Sequence, residues 1–319
     1  MKIAVTGAAG FIGSHLAETL ARQGHTVVGI DSFTDYYAAQ LKLANAEDIE
    51  SAGVALHRLD LATDDLTPAL QDVEFVFHLA GQPGISATVP LADYVRNNLV
   101  AMDKLLLACQ RQKSLRCFVN VSTSSVYGRH AYDTEETPPK PTSYYGVTKL
   151  AAEQLALAFQ REQGFPACSL RIFSVYGPRE RPEKLYPKLI RSILTGTPFP
   201  LYEGSQNHSR SYTFVNDIIQ GFLAVLENPD QVIGEIINMG SDVEMTTGQG
   251  IALIEEIMGK KAMLDIRPKR PGDQLHTCAN IGKARKLLGY EPLTRLEDGL
   301  KAEVDWYVNR IFANGLHNV

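Results

Sequence analysis

The sequence is poor in several features that mark whole classes of protein. Only four cysteines, Cys109, Cys117, Cys168 and Cys278, are spread through 319 residues. They form neither a disulfide framework nor a metal motif, so no bound metal is expected and a reducing compartment is. No segment reaches the roughly 18 consecutive apolar residues of a membrane span, so no membrane partner is expected. The first apolar run starts at Met1 and breaks at Gly7 without a cleavage-type region, which argues against a signal peptide and makes the cytoplasm the expected location. Basic runs are also lacking, and the formal net charge is −5. The electrostatic footprint of a nucleic-acid binder is therefore absent, and a charged substrate would have to be held by local arginines. There is no internal repeat or low-complexity tract.

What is present is an ordinary globular composition, 45% hydrophobic and 21% charged. The length exceeds that of one compact core, which favours a large domain with an attached lobe. Lys2 to Thr6 reads as a strand, followed by Gly7-Ala8-Ala9-Gly10-Phe11-Ile12-Gly13, a helix over Ser14 to Arg22, and a second strand over Thr26 to Ile30 that ends in Asp31. Glycine at such a turn lets the backbone approach a pyrophosphate, whose charge sits on free helix N–H groups. Asp31, about 20 residues on, is placed to accept from an adenosine ribose hydroxyl. Its carboxylate would repel a 2′-phosphate, and Ser32-Phe33 offers no cation to hold one, which favours NAD over NADP.

The alternation continues. Strands are expected over Gly53 to Leu59, Glu74 to Leu79, Leu115 to Val121 and Ala167 to Phe173, with long helices over Leu91 to Arg111 and Ser143 to Gln163. Asp60 and Leu61 end one strand where an adenine could lie, although Asp60 reads equally well as a helix cap. Leu79 and Ala80 precede Gly81 in a small-residue floor for the cofactor. The pattern implies an α/β fold, a Rossmann-type doubly wound parallel sheet with ligands at the carboxyl ends of its strands. After about Ser174 prolines interrupt the pattern. The expected division is an NAD-binding domain over 1–174 and a smaller C-terminal α/β substrate lobe over 175–319, which lends a strand near 235–239 back to the main sheet. Short helices are expected over Asp217 to Leu226 and Thr247 to Met258, and a closing amphipathic helix over Glu297 to Ile311, packed around Trp306 and Tyr307.

Tyr145 and Lys149 stand one helical turn apart and can act on one bound molecule. A phenol titrates near about 10, and a neighbouring positive charge stabilises its phenolate, so the pair is a candidate general base. Tyr144 lies about 100° round the helix and would point elsewhere. Thr123, Ser124 and Ser125 follow the fifth strand and would face the same crevice, or else hydrogen-bond their own turn.

These motifs together resemble the extended short-chain dehydrogenase/reductase family in its nucleotide-sugar epimerase/dehydratase branch. The resemblance runs through Gly7 to Gly13, His78-Leu79-Ala80, Thr123 to Gly128, Tyr145 to Lys149, Arg171 to Pro178, Arg210 to Asp217 and Arg270 to Asp273. It implies that Thr123, Tyr145 and Lys149 are catalytic, that NAD is the cofactor, and that a UDP-sugar is the substrate. Dehydratases of this branch carry an Asp-Glu pair where Ser124-Ser125 stands, and the decarboxylases carry a glutamate at the position of Ser125. The serine-rich stretch, with Ser174 and Arg181, looks most like UDP-glucuronate 4-epimerases, in which the residue matching Arg181 contacts the sugar carboxylate. Arg210 and Arg270 match positions that grip phosphates. Two departures stand out: Ser211 replaces a usual Asp, and Ser86 stands where Arg is common. The resemblance also implies a homodimer packed through the two long helices. The alternatives are an epimerase of neutral UDP-hexoses, a UDP-glucuronate decarboxylase, and a catalytically silent NAD-binding sensor.

Overall fold

The computed structural model describes residues 1–86, 88–269 and 275–318. Its centre is a seven-stranded sheet of β1 (Lys2–Thr6), β2 (Thr26–Asp31), β3 (Ala55–Arg58), β4 (Phe75–His78), β5 (Cys117–Thr123), β6 (Ala167–Ile172) and β7 (Ile236–Met239). The spatial order is β7-β6-β5-β4-β1-β2-β3, and every pair is parallel. This is the Rossmann-type α/β arrangement. The inner strands β1, β2 and β4 are largely apolar on both faces because helices cover both, whereas the edge strand β3 is mostly exposed. Phe75 and Phe77 join one core while Val76, between them, joins the other, as alternation along a strand requires.

β7 comes from far along the chain and pairs with β6 in register from Ile236↔Ser169 to Met239↔Ile172. The remaining C-terminal strands form small sheets: Val175–Tyr176 beside Thr213–Phe214, Ser209–Arg210 between Met245–Thr246 and His276–Thr277, and Phe199–Tyr202 beside Leu264–Arg267.

Three features depart from the sequence reading. The helix expected over Leu91 to Arg111 is interrupted: Leu91–Val95 and Ala101–Gln110 are joined by a π turn at Arg96–Val100. The closing helix Leu296–Trp306 likewise runs into a π turn at Tyr307–Phe312. A helix over Ala39–Ser51 fills the crossover between β2 and β3. Its polar face hides the amphipathic signal, since Lys42 and Asn45 are among its buried residues.

Candidate active site

The carboxyl ends of all seven parallel strands lie along one edge of the sheet. The turn after β1 is shaped by contact: Gly7 has φ +71, and a side chain there would lie 2.9 Å from the Ala80 nitrogen. A Cβ on Gly13 would come within 2.1 Å of the Gly7 carbonyl oxygen, so only glycine lets the first helix, Phe11–Arg22, seat on the turn. Gly10 precedes that helix and gives no side-chain cap, which leaves the helix start open to an anion. Asp31 is buried at the end of β2; its carboxylate accepts from Ala9 N–H at 3.0 Å and Phe33 N–H at 2.8 Å. Its remaining lone pairs suit a ribose hydroxyl. An open helix terminus, a glycine floor and this carboxylate fit a dinucleotide.

Further contacts surround this edge. The Asp60 carboxylate is engaged by Arg96 at 2.6 Å and by Ala62 N–H at 2.9 Å, with buried Leu61 beside it. The vicinity of Asp31 also holds cations that the local sequence did not show. Lys42 lies within electrostatic reach, with its ammonium donating to the Thr34 carbonyl at 2.7 Å, and Arg58 stacks on Phe33 at 5.3 Å.

The helix Tyr144–Gln163 is capped by Ser143, whose hydroxyl accepts from Gly146 N–H at 3.1 Å, and ends at Gly164 with φ +67. A Cβ on Gly146 would sit 2.7 Å from the Ser125 carbonyl oxygen, so glycine lets this helix start rest on the serine turn. Thr123 ends β5, and its hydroxyl accepts from Ser125 N–H at 3.2 Å while also bonding the Tyr145 phenol. Tyr144 points outward and is exposed.

Burial raises the Tyr145 pKa; the Thr123 hydrogen bond and the Arg181 guanidinium oppose it. The Lys149 ammonium also acts on His78, which burial holds at about 3. Lys149 itself is lowered to about 8 by burial, with Glu153 one turn on pulling the other way.

Glu153 belongs to a buried network that the sequence did not announce. Arg171 on β6 donates to it at 3.0 and 2.6 Å, and also to the Tyr127 hydroxyl at 2.8 Å, which donates in turn to Asn238 on β7 at 2.8 Å. Asn98, carried by the first π turn, braces the other side: it donates to Thr148 at 3.0 Å and accepts from Gln82 N–H at 2.7 Å. π turns often re-aim a side chain in this way at functional sites.

Arg181 stands among charged neighbours, Arg179, Glu180 and Glu183. The structure leaves its side chain only 13% exposed, with its guanidinium 5.5 Å over the Tyr36 ring and 3.1 Å from Glu183. Tyr36 comes from the segment after β2, and Tyr94 packs 6.5 Å from Tyr145 while donating to the Gly84 carbonyl at 2.7 Å. Neither tyrosine has a sequence signal beyond its aromatic character. Ser124, Ser125 and Ser174 are half-buried at the ends of β5 and β6. Arg210 and Arg181 both act on Lys184, which groups three cations together. Ser211 is fully buried and structural, accepting from Ala279 N–H at 3.1 Å. Ser86 accepts from Thr88 and Val89 N–H groups in its own turn. Arg270 lies outside the described residues.

Comparison with known proteins agrees with this geometry. Residues 3–240 match the NAD dependent epimerase/dehydratase family. The chain is 40% identical over 309 residues to the uncharacterized UDP-glucose epimerase YtcB of Bacillus subtilis (strain 168), covering 95% of this chain and 97% of that protein. It is 33% identical to UDP-glucuronate 4-epimerase 3 of Arabidopsis thaliana, covering 96% and 76% respectively. The crystal structure of UDP-glucuronic acid 4-epimerase from Bacillus cereus, in complex with UDP-glucuronic acid and NAD, superposes with a TM-score of 0.91 at 40% identity, covering 96% of this chain and 98% of that one. The chain belongs to the NAD dependent epimerase/dehydratase family.

Proposed function

We propose that this chain is a UDP-glucuronate 4-epimerase, converting UDP-glucuronate to UDP-galacturonate through a transient 4-keto sugar without loss of carbon dioxide. The observation that carries the reading is Arg181, shielded from solvent and within electrostatic reach of the Tyr145 phenol, together with the presence of hydroxyls rather than acids at positions 124 and 125. NAD, when bound, would supply reversible hydride acceptance at carbon 4. Gly7, Gly10, Phe11, Ile12, Gly13, Asp31, Asp60, Leu61, Leu79 and Ala80 would hold it, with Tyr145 and Lys149 at its nicotinamide end.

In this scheme the Tyr145 phenolate takes the proton of the 4-hydroxyl, and Thr123 orients the same oxygen. Lys149 would hold the nicotinamide ribose. The keto sugar is a β-keto acid, which loses carbon dioxide when its carboxylate bond stands perpendicular to the carbonyl plane. A guanidinium fork from Arg181 and the hydroxyls of Ser124, Ser125 and Ser174 fix that carboxylate in plane and stabilise its charge. Tyr145 then returns the proton after the ring has turned over. Arg210 and Arg270 receive the diphosphate.

The test is incubation of the purified protein with UDP-glucuronate and no added NAD, with products separated by chromatography. UDP-galacturonate is the expected product; a UDP-pentose, or no conversion by protein shown to carry NAD, overturns the assignment. A second reading, epimerisation of neutral UDP-hexoses, is favoured by the name of the Bacillus subtilis relative. It predicts faster turnover of UDP-glucose than of UDP-glucuronate.

The reading extends to the rest of the molecule. The segment after about residue 174 serves mainly as substrate lobe, apart from β7. The protein works as a cytoplasmic homodimer, packed through the helices Leu91–Val95, Ala101–Gln110 and Tyr144–Gln163. Their exposed Leu91, Val95, Leu107 and Val147 support this face.

A further inference from the structure

Glu303 sits on the apolar face of the closing helix, between Leu300 and Val304, and is fully buried. A carboxylate there, without a cation, carries a desolvation penalty of several kcal/mol. Neither of its oxygens accepts a hydrogen bond of normal geometry; the Gly177 N–H faces it without closing one. Its neighbour is a second buried carboxyl, Glu180, whose Oε2 is also unpartnered. The two carboxyl groups face each other closely enough to interact, so that a proton on one can bridge to the other. Both carboxyls are acceptors when ionised, so this contact closes only with a proton between them.

Glu180 belongs to the segment that delivers Arg181. Its preceding residues are pinned from outside: the Pro178 carbonyl accepts from His15 at 2.8 Å, and Arg179, at φ +69, pairs with Glu18 at 2.8 Å and Asp48 at 3.0 Å. The Glu303 contact is the last fixed point before Arg181 turns toward Tyr36 and the phenol. We propose that Glu180 and Glu303 form a proton-sharing latch, a pair of positioning residues that fixes Arg181 and couples capture of the sugar carboxylate to pH.

The charged surroundings set the direction. Arg181, Glu183 and Lys184 face Glu180 from its own segment and Glu303 from the closing helix. Asp48, Arg179 and Arg310 line a small cavity with it on one side, and Arg191 and His317 line another. Tyr176 and Tyr186 face the pair as phenols. Burial raises Glu180 to about 7 against the pull of Lys184, and raises Glu303 well above the carboxylate range. Below neutrality both carboxyls carry protons. As pH rises through about 7 a proton leaves Glu180, which remains bonded by Glu303 but now presents an anion next to Arg181. That anion competes with the substrate carboxylate for the guanidinium.

This inference rests on the sugar-acid reading above, and the experiment separates the two. In the full-length protein, KM for UDP-glucuronate is expected to rise across neutral pH, and E180Q, which cannot ionise, is expected to flatten that rise. Glu303→Leu removes the donor, and KM is expected to increase about tenfold with kcat changed less, the scale of one net hydrogen bond; Glu303→Gln, whose amide still donates, is expected to restore most of the affinity. Infrared difference spectra of wild type against E303Q provide a substrate-free readout. A protonated-carboxyl carbonyl band that persists at mildly alkaline pH in wild type and is lost in E303Q supports the latch, even if UDP-glucuronate proves not to be a substrate. Absence of that band overturns the latch, as does a KM profile in E180Q that matches wild type.

Discussion

Replacing Arg171 by methionine tests how the catalytic helix is held. Arg171 is 1% exposed and Glu153 0%, and two charge-assisted hydrogen bonds of 3.0 and 2.6 Å join them. Loss of the guanidinium leaves the Glu153 carboxylate with Ser169 at 3.2 Å and the nearby Lys149 ammonium as its support. An uncompensated buried charge of this kind is worth about 3–5 kcal/mol of stability. The melting temperature should then fall by on the order of 10 °C. Urea denaturation followed by circular dichroism measures the change. The double variant E153L/R171M removes both charges, and should recover at least about 1 kcal/mol relative to R171M alone. It also strips Lys149 of the carboxylate that supports its charge, so activity should fall even where stability returns. R171M within about 1 kcal/mol of wild type, or a double variant that loses the sum of the two single changes, would refute the reasoning.

Three further outcomes follow from the same geometry. Lys149 titrates at about 8 in the folded protein against 10.5 ordinarily, so between these values the unfolded chain binds more protons and stability rises with pH; the rise, roughly 3 kcal/mol at most, should be missing in K149M when melting curves are compared across that window. Gly13→Ala places a Cβ 2.1 Å from a backbone oxygen, so the first helix must shift; the purified variant should carry markedly less NAD by absorbance of the released nucleotide, and equal loading would contradict the contact. Leu107→Glu puts a charge on the proposed dimer face; light scattering should report a dimer for wild type and a monomer for the variant, and an unchanged mass would move the interface elsewhere.

Much of the fold could be read because parallel strands buried on both faces are apolar throughout and end in informative residues. β1 and its glycine turn, Asp31 at the end of β2 and Thr123 at the end of β5 were visible in that way, and so was β7 returning to the sheet. The features that escaped depend on partners distant in sequence. The π turn at Arg96–Val100 leaves no composition signal; it shows only through the contacts of Asn98 with Gln82 and Thr148. The shielding of Arg181 could not be read because its partner, Tyr36, lies far away in the chain. Glu303 sits among core positions of an amphipathic helix, where its meeting with Glu180 is invisible until the segment is folded.

The most direct test of the whole account uses UDP-glucuronate carrying deuterium at carbon 4, incubated with the protein in ordinary water and analysed by mass spectrometry. If Tyr145 handles the hydroxyl proton while the carbon-bound hydrogen leaves and returns as hydride within the site, the UDP-galacturonate formed retains its deuterium at carbon 4. Washout of the label into solvent would contradict that mechanism.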